Sequence, residues 1–169
     1  MIEDILAQSH MLVDTLSFDS GTIALSALRT LGESPKQGGA FAQLLGMEFH
    51  EMADGRCTAS LNVREHLLNP LGIAHGGVTY ALADSTCGGA TLSALGTTRM
   101  VTQDIQMRYH GPARPGKLVA QAEVIHHGQR TVTTQCRVTQ KDLLIASCTA
   151  TFAILNDQEL SALGSAIPR

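Results

Sequence analysis

The stretch Asn69-Pro70-Leu71-Gly72-Ile73-Ala74-His75-Gly76-Gly77 decides the fold of this chain, because it opens the apolar run Val78–Leu95. That run contains no proline and one charged residue, Asp84, and Gly96 follows it directly. Glycine suits both the tight turn before a helix and the residue that ends one. The pattern predicts a long helix that begins at one of the two glycines closing the quoted stretch and ends before Gly96.

The start of this helix is a candidate site for acyl-transfer chemistry. The first N–H groups of a helix lack internal partners and lie at the positive end of the helix dipole. They can therefore stabilise a carbonyl oxygen that gains negative charge during acyl transfer. Gly76 is the predicted oxyanion donor, and Gly77 beside it is a predicted substrate contact.

Asp84 is the candidate catalytic carboxylate. Its neighbours Tyr80, Ala81 and Cys87 carry no charge, and an acid in a largely apolar helix is either buried with a partner or placed for a task. Asp84 follows Gly76 by eight residues, which is roughly 12 Å along a helix. If both act on one carbonyl, they must come from two antiparallel copies of the helix, so the spacing predicts a homodimer with shared sites.

Hydrophobic alternation and turn residues predict strands on both sides of the helix. The order is two strands, the helix and four strands, and an antiparallel sheet needs one apolar covering. We therefore predict an α+β fold in which an antiparallel sheet of five to six strands wraps around one long central helix. The predicted strands are Leu45–Ala53, Arg56–Val63, Met100–Tyr109, Lys117–His127, Arg130–Gln140 and Leu143–Leu155.

The predicted domain spans residues 41–155. Residues 1–40 are expected to form an extension with two short amphipathic helices, at 1–16 and 22–31, and a Gly-Pro-containing linker. Residues 156–169 are expected to form a C-terminal tail.

Composition excludes several function classes. The chain has 169 residues, 44% hydrophobic and 16% charged, with a net charge of −3, which suits one domain with a real core. It offers no basic field for nucleic acid or an anionic membrane. With no long apolar segment and no basic start, a cytoplasmic location is expected.

The cysteines and histidines show no metal-binding spacing. Cys57, Cys87, Cys136 and Cys148 form no Cys-x-x-Cys pair, which predicts reduced, packed thiols. The seven histidines are scattered. We expect no metal and no cofactor.

The spacing of Asn69, Gly72, His75-Gly76-Gly77 and Asp84 resembles the signature of the hotdog-fold acyl-CoA thioesterases of the phenylacetate-pathway (PaaI-like) type. The resemblance covers about residues 41–155. It continues through Val101-Thr102, Tyr109 to Gly116, His126 to Arg130 and Ala146 to Phe152. It implies the hotdog fold and hydrolysis of an acyl-CoA thioester, in which coenzyme A is part of the substrate.

The resemblance also implies a role for each residue of the motif. Asp84 would be the base or nucleophile, and the Gly76 N–H would polarise the thioester. His75 and Asn69 would position the loop and orient the acyl group or water. A hydroxyl at Thr102 assists the carboxylate in some relatives, but strict alternation along its strand predicts that Thr102 points to the polar face, away from the core.

Further contacts and partners follow from the same resemblance. His126, Gly128 and Arg130 resemble a turn that contacts coenzyme A, with Arg130 as the first candidate for a phosphate contact. Arg108, Arg114 and Lys117 are weaker candidates. Pairing of dimers into a homotetramer is also expected.

Two other function classes stay open from the sequence. A hotdog dehydratase or hydratase would use His75 and Asp84 to move a proton beside a thioester. A non-catalytic acyl-CoA sensor would use residues 1–40 to bind a protein partner. For hydrolysis, the sequence leaves aryl, arylacetyl and medium-chain acyl groups equally open.

Overall fold

The computed structural model describes residues 39–165, and these form one sheet with three α-helices. In chain order the elements are α1 (Ala40–Leu45), β1 (Met47–Ala53), β2 (Arg56–Val63), α2 (Gly76–Leu95), β3 (Met100–Tyr109), β4 (Gly116–His127), β5 (Thr131–Gln140), β6 (Leu143–Ile154) and α3 (Asp157–Ser165), with a 3₁₀ turn at Glu65–Leu67.

Helix α2 has the bounds that the sequence predicted. It begins at Gly76, with His75 as N-cap, and ends at Leu95. Gly96 closes it in the left-handed conformation, at φ 65°, and donates its N–H to the Leu92 carbonyl. Glycine adopts this conformation without steric cost, which is why the helix stops at this residue.

The sheet wraps the central helix. Its six strands are antiparallel in the order β1-β2-β4-β5-β6-β3, and α2 contacts every one of them. The core lies between the buried residues of α2 and the inward residues of the strands, among them Leu82, Leu61 and Leu118. The predicted α+β hotdog architecture is confirmed.

The first strand begins later than predicted. Residues 40–45 form α1, and Gly46, at φ 70°, ends that helix before β1 starts at Met47. The prediction that the strand begins at Leu45 was therefore wrong, because a short helix uses the apolar residues before Gly46. The two amphipathic helices expected at 1–16 and 22–31 lie outside the described residues. The segment expected as a tail contains α3.

Two adjacent glycines in α2 have different surroundings. A Cβ built at Gly89 would lie 2.6 Å from the Cys57 sulfur of β2, whereas one at Gly88 would meet the Phe152 ring at 3.8 Å. Gly89 is therefore the point where helix and sheet pack too closely for a side chain. None of the helices within residues 39–165 has the length and hydropathy needed to cross a membrane.

Candidate active site

The first turn of α2 presents one free backbone donor. The Gly77 N–H donates to His75 Nδ1 at 3.0 Å, and the Val78 N–H donates to the His75 carbonyl at 2.9 Å. Within residues 39–165, the Gly76 N–H donates to no other group. Since His75 satisfies the second donor, the Gly76 N–H is left open at the positive end of the helix dipole.

Asn69 shapes the loop that leads into this turn. Its side-chain oxygen accepts from the Leu71 N–H at 2.9 Å and from the Ile73 N–H at 3.4 Å. The Asn69 N–H donates to the Ile73 carbonyl, and Gly72 closes the turn at φ 73°. Asn69 thus folds its own loop in the way that Asx turns do.

Tyr109 holds the other side of Gly76, a contact for which the sequence contains no signal. Its hydroxyl, at the end of β3, donates to the Gly76 carbonyl at 2.9 Å. A cavity of about 430 Å³ beside this contact is lined by Asn69, Gly76, Tyr109 and Ala113, among others. A space large enough for part of a substrate therefore adjoins Gly76.

Thr102 contacts the carboxylate of Asp84 directly. Its hydroxyl donates to Asp84 Oδ1 at 3.1 Å. The prediction that Thr102 points away from the core face was wrong, because the pairing of β3 with β6 shifts register between Thr102 and Asp104. This bulge interrupts the strict alternation of side chains along β3. Thr102 therefore lies on the same helix-facing side of the sheet as Ile105, although the two residues are three positions apart.

The surroundings of Asp84 favour a proton acceptor. Burial raises the pKa of the Asp84 carboxyl above its usual value, and the Thr102 hydrogen bond opposes that rise. Tyr80 lies one helical turn before Asp84, and burial followed by the Asp84 charge raises the pKa of its phenol. The i, i+4 spacing of Tyr80 and Asp84 is visible in the sequence, although there Tyr80 was interpreted only as one of the uncharged neighbours of Asp84.

Asp84 and Gly76 do not meet within one chain. They lie eight residues apart on the same helix, and the cavity at Gly76 is not lined by Asp84 or Thr102. A rigid helix holds them roughly 12 Å apart. One chain therefore holds these two candidate groups apart.

The predicted coenzyme A turn lies at the far end of the molecule from Gly76. His126 lies at the end of β4, and Gly128 and Arg130 belong to the β4–β5 connection, where the Gly128 N–H donates to the Thr131 carbonyl at 2.9 Å. The Arg130 carbonyl accepts from Ile154, close to the C-terminal end of α2. Arg130 Nη2 is paired with Glu159 Oε1 at 2.6 Å, so any phosphate would have to compete with this carboxylate.

The outer face of the sheet carries a second, larger cavity of about 620 Å³. Its lining includes the arginines at 56, 108 and 137. Arg108 therefore lies on the face opposite Asp84 and is a poor candidate for a contact in the same site.

A sequence model described as the thioesterase superfamily matches residues 71–146. The solved structure of the conserved protein PA5202 from Pseudomonas aeruginosa is 32% identical, covers 71% of this chain and 97% of its own, and superimposes with a TM-score of 0.68. The chain belongs to the thioesterase superfamily.

Two further relatives refine the position of this thioesterase. A point mutant of the phenylacetic acid degradation protein PaaI from Thermus thermophilus is 30% identical, with a TM-score of 0.66 over 69% of this chain and 100% of its own. The 1,4-dihydroxy-2-naphthoyl-CoA hydrolase of Listeria monocytogenes is 29% identical over 63% of this chain and 90% of its own. The expected PaaI-like family and the enzyme class are confirmed.

Proposed function

We propose that the protein hydrolyses an acyl-CoA thioester to the free acid and coenzyme A. The observation that carries this proposal is the partly buried Asp84 carboxylate held by Thr102, on the same helix whose first N–H, at Gly76, is open. A base and an oxyanion donor are sufficient to hydrolyse a thioester, because the thiolate is a good leaving group and needs little help from a general acid.

In the proposed reaction the Gly76 N–H binds the thioester oxygen as it gains charge. Asp84 either takes a proton from the attacking water or attacks the carbonyl itself, and both routes need an ionised carboxylate in the same position. The tetrahedral intermediate collapses with release of the coenzyme A thiolate. If water was the attacking group, the free acid is formed in this step; if Asp84 attacked, a mixed anhydride is left on its side chain, and water then hydrolyses it to the free acid. Asn69 and His75 hold the loop and the helix start, and Thr102 orients the carboxylate.

We propose that a second copy of the chain completes the site. The separation of Asp84 from Gly76 supports this arrangement if both groups act on one carbonyl, and β3, which carries Thr102, is an edge strand of the described sheet. Large side chains on this strand are exposed, with Val101 at 41% and Tyr109 at 52%. An open edge of this length is a template for pairing with another strand. Association of such dimers into a tetramer stays a prediction.

An aromatic acyl group is the first choice within the proposed substrate class. The Listeria relative is named for a bicyclic aromatic acyl thioester, and apolar pockets without aromatic cages can hold such groups. Arg130 stays a candidate for a coenzyme A phosphate, with Glu159 as its competitor. We also propose a cytoplasmic location, since all four cysteines are free thiols and reduced thiols are typical of that compartment.

The test is thiol release from a panel of aryl-, arylacetyl- and medium-chain acyl-CoA thioesters, for the wild type and for Asp84→Asn. We expect selective release that falls at least about a hundredfold in the variant, the scale of a lost general base. No release from any thioester by a folded protein that binds coenzyme A would contradict hydrolysis and favour the sensor.

His75 distinguishes hydrolysis from the hydratase alternative. Its Nδ1 accepts the Gly77 N–H and serves as a helix cap. His75→Asn keeps a side-chain acceptor at the N-cap while removing the imidazole. We expect it to retain most hydrolytic activity, whereas a hydratase that uses His75 as acid or base would lose its activity on crotonyl-CoA in the same variant.

A further inference from the structure

Three of the four cysteines meet between the central helix and the sheet. Their sulfur atoms all lie within 4.8 Å of one another, and the Sγ atoms of Cys87 and Cys148 are 3.9 Å apart. The three residues, Cys87, Cys136 and Cys148, are 0%, 2% and 5% exposed. We refer to them as the thiol cluster.

The fold holds the thiol cluster from three directions. Cys87 belongs to α2, and Cys136 and Cys148 face each other directly across the β5–β6 pair. No histidine or carboxylate of residues 39–165 joins the group. Any ion bound at this point would therefore meet a ligand set of sulfur alone, supplied by three rigid elements.

We propose that the thiol cluster is a binding site for one arsenic(III) ion, held by the three sulfur atoms of Cys87, Cys136 and Cys148. Soft ions select thiolate ligands. The structural zinc sites of proteins use four ligands, and a divalent ion with three thiolates leaves a net negative charge. Burying an unpaired charge is costly. The complex of arsenic(III) with three thiolates has no net charge and avoids this cost.

The reaction balances without an oxidant or a reductant. Arsenous acid, As(OH)₃, condenses with three thiols to give As(SR)₃ and three waters. Three As–O bonds and three S–H bonds break, three As–S bonds form, and each hydroxide leaves with a thiol proton as water. Arsenic and sulfur keep their oxidation states.

Cys148 is suited to make the first bond. It is the most exposed of the three, although 5% exposure means that entry needs local opening of the sheet. Once bound, the ion would tie α2 to the sheet three residues after Asp84.

The test uses the full chain, reduced with a phosphine and incubated with sodium arsenite until its mass is constant. Native mass spectrometry should show one arsenic per chain, with the loss of three thiol hydrogens. X-ray absorption at the arsenic edge should show three sulfur neighbours and no oxygen. The Tm should rise with arsenite concentration, because the ligand binds the folded state.

Cys57→Ala is the matched control. Cys57 is buried in the same sheet but lies outside the cluster, and burial, followed by the Glu51 charge, raises the pKa of its thiol to about 12. This variant should bind arsenic as the wild type does. Cys136→Ala and Cys148→Ala should each lose the three-sulfur species and the Tm rise.

Three results would overturn the proposal. These are an unchanged wild-type mass after incubation, an arsenic bound through two sulfurs with oxygen retained, and equal binding in Cys136→Ala. All readouts measure binding rather than turnover, so the proposal stands or falls independently of the thioesterase activity.

Discussion

The hydroxyl of Thr102 on β3 donates to the carboxylate of Asp84 on α2, across 3.1 Å. Because this bond favours the ionised acid, Thr102 opposes the rise in the Asp84 pKa that burial causes. Thr102→Val should therefore raise that pKa further and move the acid limb of the pH–rate profile to higher pH.

The measurement is kcat/KM against pH, with Thr102→Ser as the control that keeps the hydroxyl. Thr102→Val should lose more activity on the acid limb of this profile than on its plateau. A uniform loss at every pH would show that Thr102 acts on geometry instead of on the charge of Asp84.

Asp84 should reduce the stability of the folded protein at neutral pH. Burial raises its pKa above the ordinary value of 3.8, so the folded state disfavours the ionised form. Below pH 3.8 the carboxyl is protonated in both the folded and the unfolded chain, and its stabilising contribution is fully present. This contribution is lost as the pH rises through the pKa of the folded state.

Asp84→Asn should therefore melt at a higher temperature than the wild type at pH 7, with a difference that shrinks as the pH falls toward 3.8. Thermal melts across this range check it. Asp142→Asn, in the exposed β5–β6 turn, is the control and should show no such pattern. A variant less stable than the wild type at pH 7 would contradict the prediction.

The Gly76 N–H can be removed without removing the helix. Proline is tolerated at the first helical position, and His75 before it has φ −58° and ψ 137°, which suits the residue before a proline. Gly76→Pro should lower kcat by about 10²–10³, the scale of a lost oxyanion donor.

Gly76→Ala is the matched control because it keeps the N–H. Its Cβ would meet the Tyr109 hydroxyl at 3.4 Å, so a smaller loss is expected. Circular dichroism should show an intact helix in both variants. Equal activities of the two variants would argue against an oxyanion role for this N–H.

The adjacent glycines of α2 should respond to alanine with opposite signs. Gly89→Ala places a Cβ 2.6 Å from the Cys57 sulfur and should cost roughly 1–3 kcal/mol of unfolding free energy. Gly88→Ala meets only the Phe152 ring at 3.8 Å and should add up to about 1 kcal/mol through helix propensity. Urea denaturation measures both, and a comparable loss at Gly88 would contradict the prediction.

Local signals in the amino-acid sequence were enough to predict where the central helix begins and ends. The glycines before Val78, the apolar run and Gly96 are local signals, and helix caps depend on local backbone conformation. The order of the strands along the chain and the α+β class could also be predicted, because hydrophobic alternation and turn residues are local patterns. The motif from Asn69 to Asp84 also sufficed to indicate the thioesterase family.

The contacts between distant residues of the site could be learned only from the packed fold. The Thr102 contact with Asp84 depends on a bulge in β3, and a bulge is set by the pairing of two strands distant in sequence. The Tyr109 contact with Gly76 joins residues 33 positions apart. The thiol cluster brings together cysteines with no recognisable spacing, because sheet register and helix packing, which are non-local, place their sulfur atoms at one point.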